Sequence, residues 1–250
     1  MANRYFAIGP AKSFLCYNPK SGVRPMAMTT QTADYIDAAT HLPAGARLVL
    51  HDVAWDDYEQ VLYELGDRAR LRISYDNGRL DIMSPSARHE SIKNLLHDLV
   101  VIICEEQAGA FLSLGSVTLK REQFGKGIEA DDCFYLQDVE AVIGKDRLNL
   151  SSDPPPDLAI EGDLTHESAR KLSLYAALGV TEVWQYSDNG IVFSHLDESR
   201  AYRAAPNSLV FPFLTSEKIA EFISGAESSR SYEARRDFRV WVRSNQPKSC

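Results

Sequence analysis

The sequence predicts an α/β fold built around a mixed sheet, its core running helix, strand, strand, strand, helix, strand, with a helix and a β-hairpin before it and helices after it. Three patterns carry this prediction. Residues 89–107 put Ile92, Leu95, Leu96, Leu99, Ile102 and Ile103 on one stripe of a long helix. Residues 111–120 and 128–136 follow as strand-like runs with no helix between them, the mark of an antiparallel meander. Residues 154–184, PPPDLAIEGDLTHESARKLSLYAALGVTEVW, then give a short apolar strand, a helix and a second strand, the crossover that parallel neighbours need.

Along the chain, residues 1–33 contain no acid while Arg4, Lys12, Lys20 and Arg24 are basic, so they read as a disordered leader outside the core. Translation from Met26 or Met28 is the other reading of that segment. A single domain is expected over 48–243, with a tail at 244–250. Within it, Tyr58, Val61, Leu62 and Leu65 share one face of a helix over Trp55–Leu65, whose first turn holds Asp56, Asp57 and Glu59 as the helix dipole prefers. Asn77-Gly78, set between alternating apolar and polar residues, is a hairpin turn. Beyond the core, residues 191–196 read as a further hairpin strand, and 216–223 and 232–242 as helices.

With 250 residues, of which 44% are hydrophobic, the chain is long enough for one large core. Its longest apolar run, residues 95–104, is interrupted by His97 and Asp98 and falls short of the roughly 18 residues of a membrane span, so no membrane partner is expected. Cys16, Cys104, Cys133 and Cys250 are scattered, which points to a reducing cytoplasm, and no cysteine and histidine cluster has zinc spacing. The net charge of −8 argues against broad non-specific adhesion to nucleic acid, although carboxylates that hold a divalent cation form a positive site once loaded.

The short strand Leu158-Ala159-Ile160 carries acids at both ends. Side chains alternate along a strand, so Asp157, Glu161 and Asp163 share a face, but Asp157 and Glu161 lie about 13 Å apart at ~3.3 Å per residue. One metal ion therefore reaches Glu161 and Asp163 more readily than Asp157, which after three prolines also suits a turn. Thr165 can cap the helix that follows and Gly179 can end it. Lys171, a turn or more into that helix, has a stem long enough to bring its ammonium back toward Glu161.

Together with MSPSARHE before the long helix, GIEADDCFYLQD on the second core strand and ARKLSLYAALGVTEVWQY after PPPDLAIEGD, these features make residues 48–243 resemble the PD-(D/E)XK nuclease superfamily. More closely, the chain resembles its bacterial Uma-type group of restriction-endonuclease-like proteins. The resemblance implies a restriction-endonuclease-like core and Mg²⁺-dependent hydrolysis of DNA phosphodiesters, with Mn²⁺ able to substitute. Carried over residue by residue, it makes Asp131 and Glu161 the metal-holding acids, Lys171 the lysine near the attacked phosphate, and Glu90 a further acid at the start of the long helix. Asp163 and Asp157 are the remaining candidate ligands. Two departures stand out: Ala130 replaces the usual proline, and Asp163 replaces the lysine of the superfamily signature, so Lys171 has to serve from the helix. In an antiparallel meander the start of one strand lies beside the end of the next, which sets Asp131 near Glu161 and away from Asp157.

Plainer readings stand beside these. Glu90 also suits a first-turn acid, and Lys171 a solvated helix residue. Arg235, Arg239 and Arg243 fall along one face of the last helix, either as contacts to DNA phosphates or as a solvated face. His89 and His166 read as solvent-facing or capping residues, and Trp55, Trp184 and Trp241 as core. The alternative to an endonuclease is a catalytically idle nucleic-acid-binding or protein-interaction module on the same fold. A homodimer would suit cutting of two strands. Deleting residues 1–28 is expected to leave the melting temperature nearly unchanged, and a drop of several degrees would mean that the leader packs on the core.

Overall fold

The computed structural model of the chain describes residues 29–65, 71–145, 147–162, 168–228 and 231–247. Helices α1 (Thr30–Thr40) and α2 (Trp55–Leu65) flank strand β1 (Arg47–Leu50). The hairpin is β2 (Arg72–Asp76) and β3 (Arg79–Met83), with Asn77 (φ 44°) and Gly78 (φ 93°) both left-handed as a two-residue hairpin loop requires. The long helix α3 (Ala87–Gln107) leads into β4 (Leu112–Ser113), β5 (Thr118–Arg121), β6 (Lys126–Glu129) and β7 (Asp132–Tyr135). After the single turn α4 (Val139–Val142) come β8 (Leu158–Gly162), α5 (Ser168–Leu178), β9 (Glu182–Ser187), β10 (Gly190–Leu196), β11 (Tyr202–Ala205), α6 (Ser216–Ser228) and α7 (Ser231–Asn245).

These strands form two sheets, β1-β3-β2-β6-β5 and β11-β10-β9-β8-β7-β4. Each meander strand that the sequence predicts as one piece is therefore two. The chain leaves the first sheet after Glu129, turns at Ala130 and Asp131, and enters the second at Asp132, exchanging β2 for β8 as its neighbour. The preceding strand bends in the same way near Gly115, whose φ of 59° favours a residue without Cβ. Apolar residues continue on both sides of Asp131-Asp132, so composition alone does not mark the change of partner.

In the second sheet β8 runs antiparallel to β7 and parallel to β9, with α5 as the crossover. Alternation along β8 decides which helix covers which side. Leu158 and Ile160 join Phe134, Trp184 and Phe193 against α3, α6 and α7, while Ala159 packs with Cys133 and Val183 against Leu174, Tyr175 and Leu178 of α5. In the first sheet Ile73, Tyr75, Leu80 and Ile82 pack on Ala39, Tyr58, Val61 and Leu65 of α1 and α2. The opposite face of that sheet is polar at Arg72, Ser74, Asp76, Arg79 and Asp81 of β2 and β3, and apolar over β5 and β6, where Leu119 and Ile128 pack with Leu174 and Leu178 of α5.

Two expectations change. The packed chain begins earlier than residue 48. Thr29 caps α1 by accepting the Thr32 N–H at 3.0 Å, and the Thr32 hydroxyl donates to Asp57 of α2 at 2.5 Å, so residues 29–33 belong to the fold and not to a leader. Residues 1–28 lie outside the described residues. The arginines of α7, expected as contacts to DNA phosphate or as a solvated face, join α7 to acids of α3. Arg235 pairs with Asp98 at 2.5 Å, Arg239 with Glu105 and Glu106 at 2.7 Å each, and Arg243 with Glu106 at 2.7 Å. The hydrogen bonds from Arg243 and Arg239 hold the Glu106 carboxyl down at about 2. The last helix is thus clasped to the long one through its basic stripe.

Gly127 of β6 lies directly beneath Tyr58, whose ring is fully buried and stacks on Tyr75 with centroids 4.8 Å apart. A Cβ at Gly127 would sit 2.2 Å from the Tyr58 hydroxyl oxygen and 2.8 Å from the ring carbon that bears it. Gly127→Ala is expected to destabilise the protein by about 1–3 kcal/mol through overpacking, read as a lower melting temperature. An unchanged melt would mean that Tyr58 yields without cost.

Candidate functional site

Asp131 stands at the corner where the chain passes between sheets, and the register Asp132↔Ile160 sets it across from Glu161. Its backbone is tied there by the Ser116 hydroxyl, which donates to the Asp131 carbonyl at 3.2 Å, and its Oδ2 accepts the Gly162 N–H at 2.8 Å. Both residues are almost wholly buried, at 1% exposure each. Two carboxylates side by side in the interior require counter-charge and hydrogen bonds. Separate elements supply them.

Arg72, the first residue of β2, donates from Nε to Asp131 Oδ1 at 2.9 Å and from Nη2 to Glu90 Oε1 at 3.0 Å. His89, in the first turn of α3, meets Asp131 Oδ2 through Nε2 at 3.0 Å. From α5, Lys171 bonds Glu161 Oε2, and Tyr175, one turn further on the same face, donates its hydroxyl to Glu161 Oε1. Glu90 is held between Arg72 and Lys93, the latter at 3.3 Å.

The two acids titrate apart. Burial alone would raise Asp131, but the hydrogen bond from His89 and the charges of Lys171, His89 and Arg72 outweigh it and keep this carboxyl well below the usual range. Burial raises Glu161, and the nearby Asp131 charge adds to that, with Lys171 only partly offsetting it. Burial disfavours a charged His89, yet the hydrogen bond and charge of Asp131 prevail and raise it above the ordinary imidazole value.

The structure therefore brings Asp131, Glu161 and Lys171 together, with Glu90 one residue removed through Arg72. It keeps Asp157 away. That carboxylate lies at the other end of β8, where its Oδ2 accepts the backbone N–H groups of Leu136 and Gln137 at 2.7 and 3.0 Å, so the candidate ligand is a turn-holding residue. Asp163, Thr165 and His166 lie outside the described residues. His89, expected at the surface or as a cap, is buried at 5% exposure and bonded to Asp131. The clue available in the sequence is Gly162, where a Cβ would come within 2.6 Å of His89 Nε2. Arg72 and Tyr175 join the site without any mark in the sequence that sets them apart.

Among the described residues no group of three or more His, Cys, Asp or Glu side chains is arranged to hold a metal. Asp131 and Glu161 nevertheless form a pair of hard oxygen donors. Mg²⁺ takes one or two carboxylates together with waters and substrate phosphate oxygens, so the donor chemistry fits that ion and not a closed zinc site. Among the described residues, no helix is long and apolar enough to cross a membrane.

A family model, Uma2, described as "Putative restriction endonuclease", matches residues 55–217. A crystal structure of "a putative nuclease belonging to DUF820" from Anabaena variabilis is similar over 68% of this chain and 90% of that one, at 11% identity and a TM-score of 0.42. No curated protein matches the chain.

Beside Asp131, Asp132 turns toward α3, accepting the Ser113 hydroxyl at 3.1 Å and pairing with His97 Nδ1 at 2.6 Å. That hydrogen bond raises the His97 pKa above its ordinary 6.5, against the opposing effect of burial. A histidine raised in the folded state contributes stability that is fully present below the unfolded value and is lost as pH rises through the folded one. His97→Gln is accordingly expected to flatten the fall in melting temperature just above pH 6.5. A variant that keeps the wild-type slope in that window would place its origin in another group.

Proposed function

The chain belongs to the Uma2 family of restriction-endonuclease-like nucleases, and we propose that it is a metal-dependent DNA endonuclease hydrolysing phosphodiesters with Mg²⁺, which Mn²⁺ can replace. The observation that carries this reading is the buried pair of Asp131, at the corner before β7, and Glu161 on the neighbouring β8, with the Lys171 ammonium bound to Glu161.

Asp131 and Glu161 would hold the ion, with Asp163, two residues after Glu161 in the sequence, as a further candidate ligand. When bound, the ion supplies an acidified water and polarises the phosphoryl oxygen. The protein's own groups do the rest. Arg72 and His89 keep Asp131 ionised and fix its orientation, and Glu90 steadies Arg72. Glu90 has its oxygens committed to Arg72 and Lys93, which favours a supporting part over a ligand's. Lys171 orients the attacking water or neutralises charge gathering on the phosphate, while Tyr175 retains Glu161. A cation bound between the acids would also lower the electrostatic cost of ionising Glu161 beside Asp131.

Lys171→Met keeps a long stem and helix propensity while removing only the charge. The variant is expected to bind Mg²⁺ in calorimetric titration yet cleave duplex DNA at least ~100-fold more slowly, the scale of losing one electrostatic stabiliser. In the same titration Asp131→Asn should abolish binding and Asp157→Asn should leave it intact. Undiminished cleavage by Lys171→Met would remove the lysine from the mechanism. No cleavage by the wild type of single-stranded, duplex or branched DNA with either metal would favour a catalytically idle module.

A further inference from the structure

Gln185 of β9 takes no part in the chemistry above, yet it is the residue paired with Glu161. Strands β8 and β9 run parallel in the register Glu161↔Gln185, and Gln185 is paired in turn with Val192 of β10, so the three side chains form one row on the α5 side of the second sheet. Asp131, one place beyond the pair Asp132↔Ile160, stands at the inner end of that row. Exposure rises along it, from 1% at Glu161 to 8% at Gln185 and 46% at Val192. Leu174, Tyr175 and Leu178 of α5 cover the preceding row, at Ala159 and Val183. The row of Gln185 thus leads from the acid pair toward solvent, at the carboxyl ends of two parallel strands, where open α/β sheets take their ligands.

The Gln185 amide is only half satisfied. Its Oε1 accepts the Ser194 hydroxyl at 3.4 Å, while its Nε2 is buried with no hydrogen-bond partner among the described residues. Glu161 beside it is engaged by Lys171 and Tyr175 instead. Turning the amide over exchanges its two ends and still leaves one of them unpaired, since Ser194 offers a single hydroxyl. A buried amide end without a partner costs stability, and an apolar side chain like those of Val183 and Phe193 would fill the sheet without that cost. An amide nitrogen only donates, so the missing partner is an acceptor. Beside two carboxylates and a lysine, the acceptor that phosphodiester hydrolysis brings is a non-bridging oxygen of the attacked phosphate. Neighbouring strands lie about 4.8 Å apart, so a phosphate held at Glu161 is within reach of the amide next to it.

We propose that Gln185 is a catalytic residue of this site, whose free N–H donates to a non-bridging oxygen of the attacked phosphodiester and is aimed there by Ser194. The inference rests on the nuclease reading and adds a neutral donor to its two acids and lysine. The full chain is assayed with Mg²⁺ and a labelled duplex oligonucleotide at saturating concentration, with calorimetric Mg²⁺ titration and thermal melts alongside. Gln185→Met keeps the length of the side chain and removes the amide. This variant is expected to bind Mg²⁺ as the wild type does and to cleave about 10- to 100-fold more slowly, the range for one hydrogen bond to a charged group. Ser194→Ala should slow cleavage less, and should add nothing further in the Gln185→Met background, because it acts only through the amide. The double variant takes both polar groups out of the interior and should melt at or above the wild-type temperature. A glutamine that merely held the sheet would not couple to Ser194 in cleavage while leaving stability intact. Undiminished cleavage by Gln185→Met would overturn the proposal, as would slower cleavage that tracks a lower melting temperature in both the single and the double variant. Loss of Mg²⁺ affinity in Gln185→Met would overturn it as well, by turning the other amide end, a hard oxygen, toward the metal. In each of these outcomes cleavage by the wild type still upholds the nuclease reading, whereas a wild type that cleaves no DNA with Mg²⁺ or Mn²⁺ removes both.

Discussion

Two carboxylates lie side by side in the interior of this protein, and much of the architecture answers that constraint. Asp131 and Glu161 are buried where two sheets meet, and neither strand can supply a cation from its own neighbourhood. Arg72 comes from the hairpin sheet, His89 from the start of α3, and Lys171 from α5. Removing one partner of a buried ion pair commonly costs about 3–5 kcal/mol, because the other charge is left uncompensated. The site therefore helps to bind the first sheet and both helices to the core, as well as being built by them. A metal ion placed between the acids would compete with these cations, which ties occupancy of the site to the arrangement of all three elements.

How much of this is legible in the sequence depends on the separation of the residues that interact. Elements set by local periodicity, such as α2, the hairpin, α3 and α5, follow from the spacing of apolar residues. The nearness of Asp131 to Glu161 also follows, because strand alternation and an antiparallel register leave little choice. Arg72 does not stand out, since it meets Asp131 across 59 positions and nothing nearby distinguishes it from a solvated arginine on a hairpin. His89 misleads for a related reason. A histidine beside a glutamate at a helix start looks like an exposed cap until the strand that buries it is in place. The break between β6 and β7 is hidden because both halves are apolar, and only the change of neighbour from β2 to β8 divides them.

Charged stripes are the least legible feature. A row of arginines on a helix can face water, a ligand or acids elsewhere in the chain, and the choice depends on what the fold sets opposite. For α7 the opposite surface is α3, where Asp98, Glu105 and Glu106 take up Arg235, Arg239 and Arg243. The polar side of the first sheet has a different neighbour. The first turns of α5 reach it through Arg170, and the cleft there also takes in Arg72 and Lys171, which pair with the two acids. The same residue type thus stabilises one interface and lines a cleft at another.

The order of residues at the end of β8 is a joint solution to these demands. Alternation turns Glu161 toward α5, where Lys171 and Tyr175 wait, and turns the next position toward α3. At that next position His89 passes so close on its way to Asp131 that a Cβ would lie 2.6 Å from Nε2 and 2.7 Å from Cδ2. Only glycine leaves this passage open, and its N–H then donates to the same Asp131 oxygen that His89 meets. Any side chain at 162 would drive His89 from Asp131, leaving a buried aspartate with one fewer partner beside a second carboxylate. The Glu-Gly pair therefore lets α3 and α5 approach the two acids from opposite sides of one strand, and through it the chemistry of the corner constrains the backbone as much as the backbone positions the chemistry.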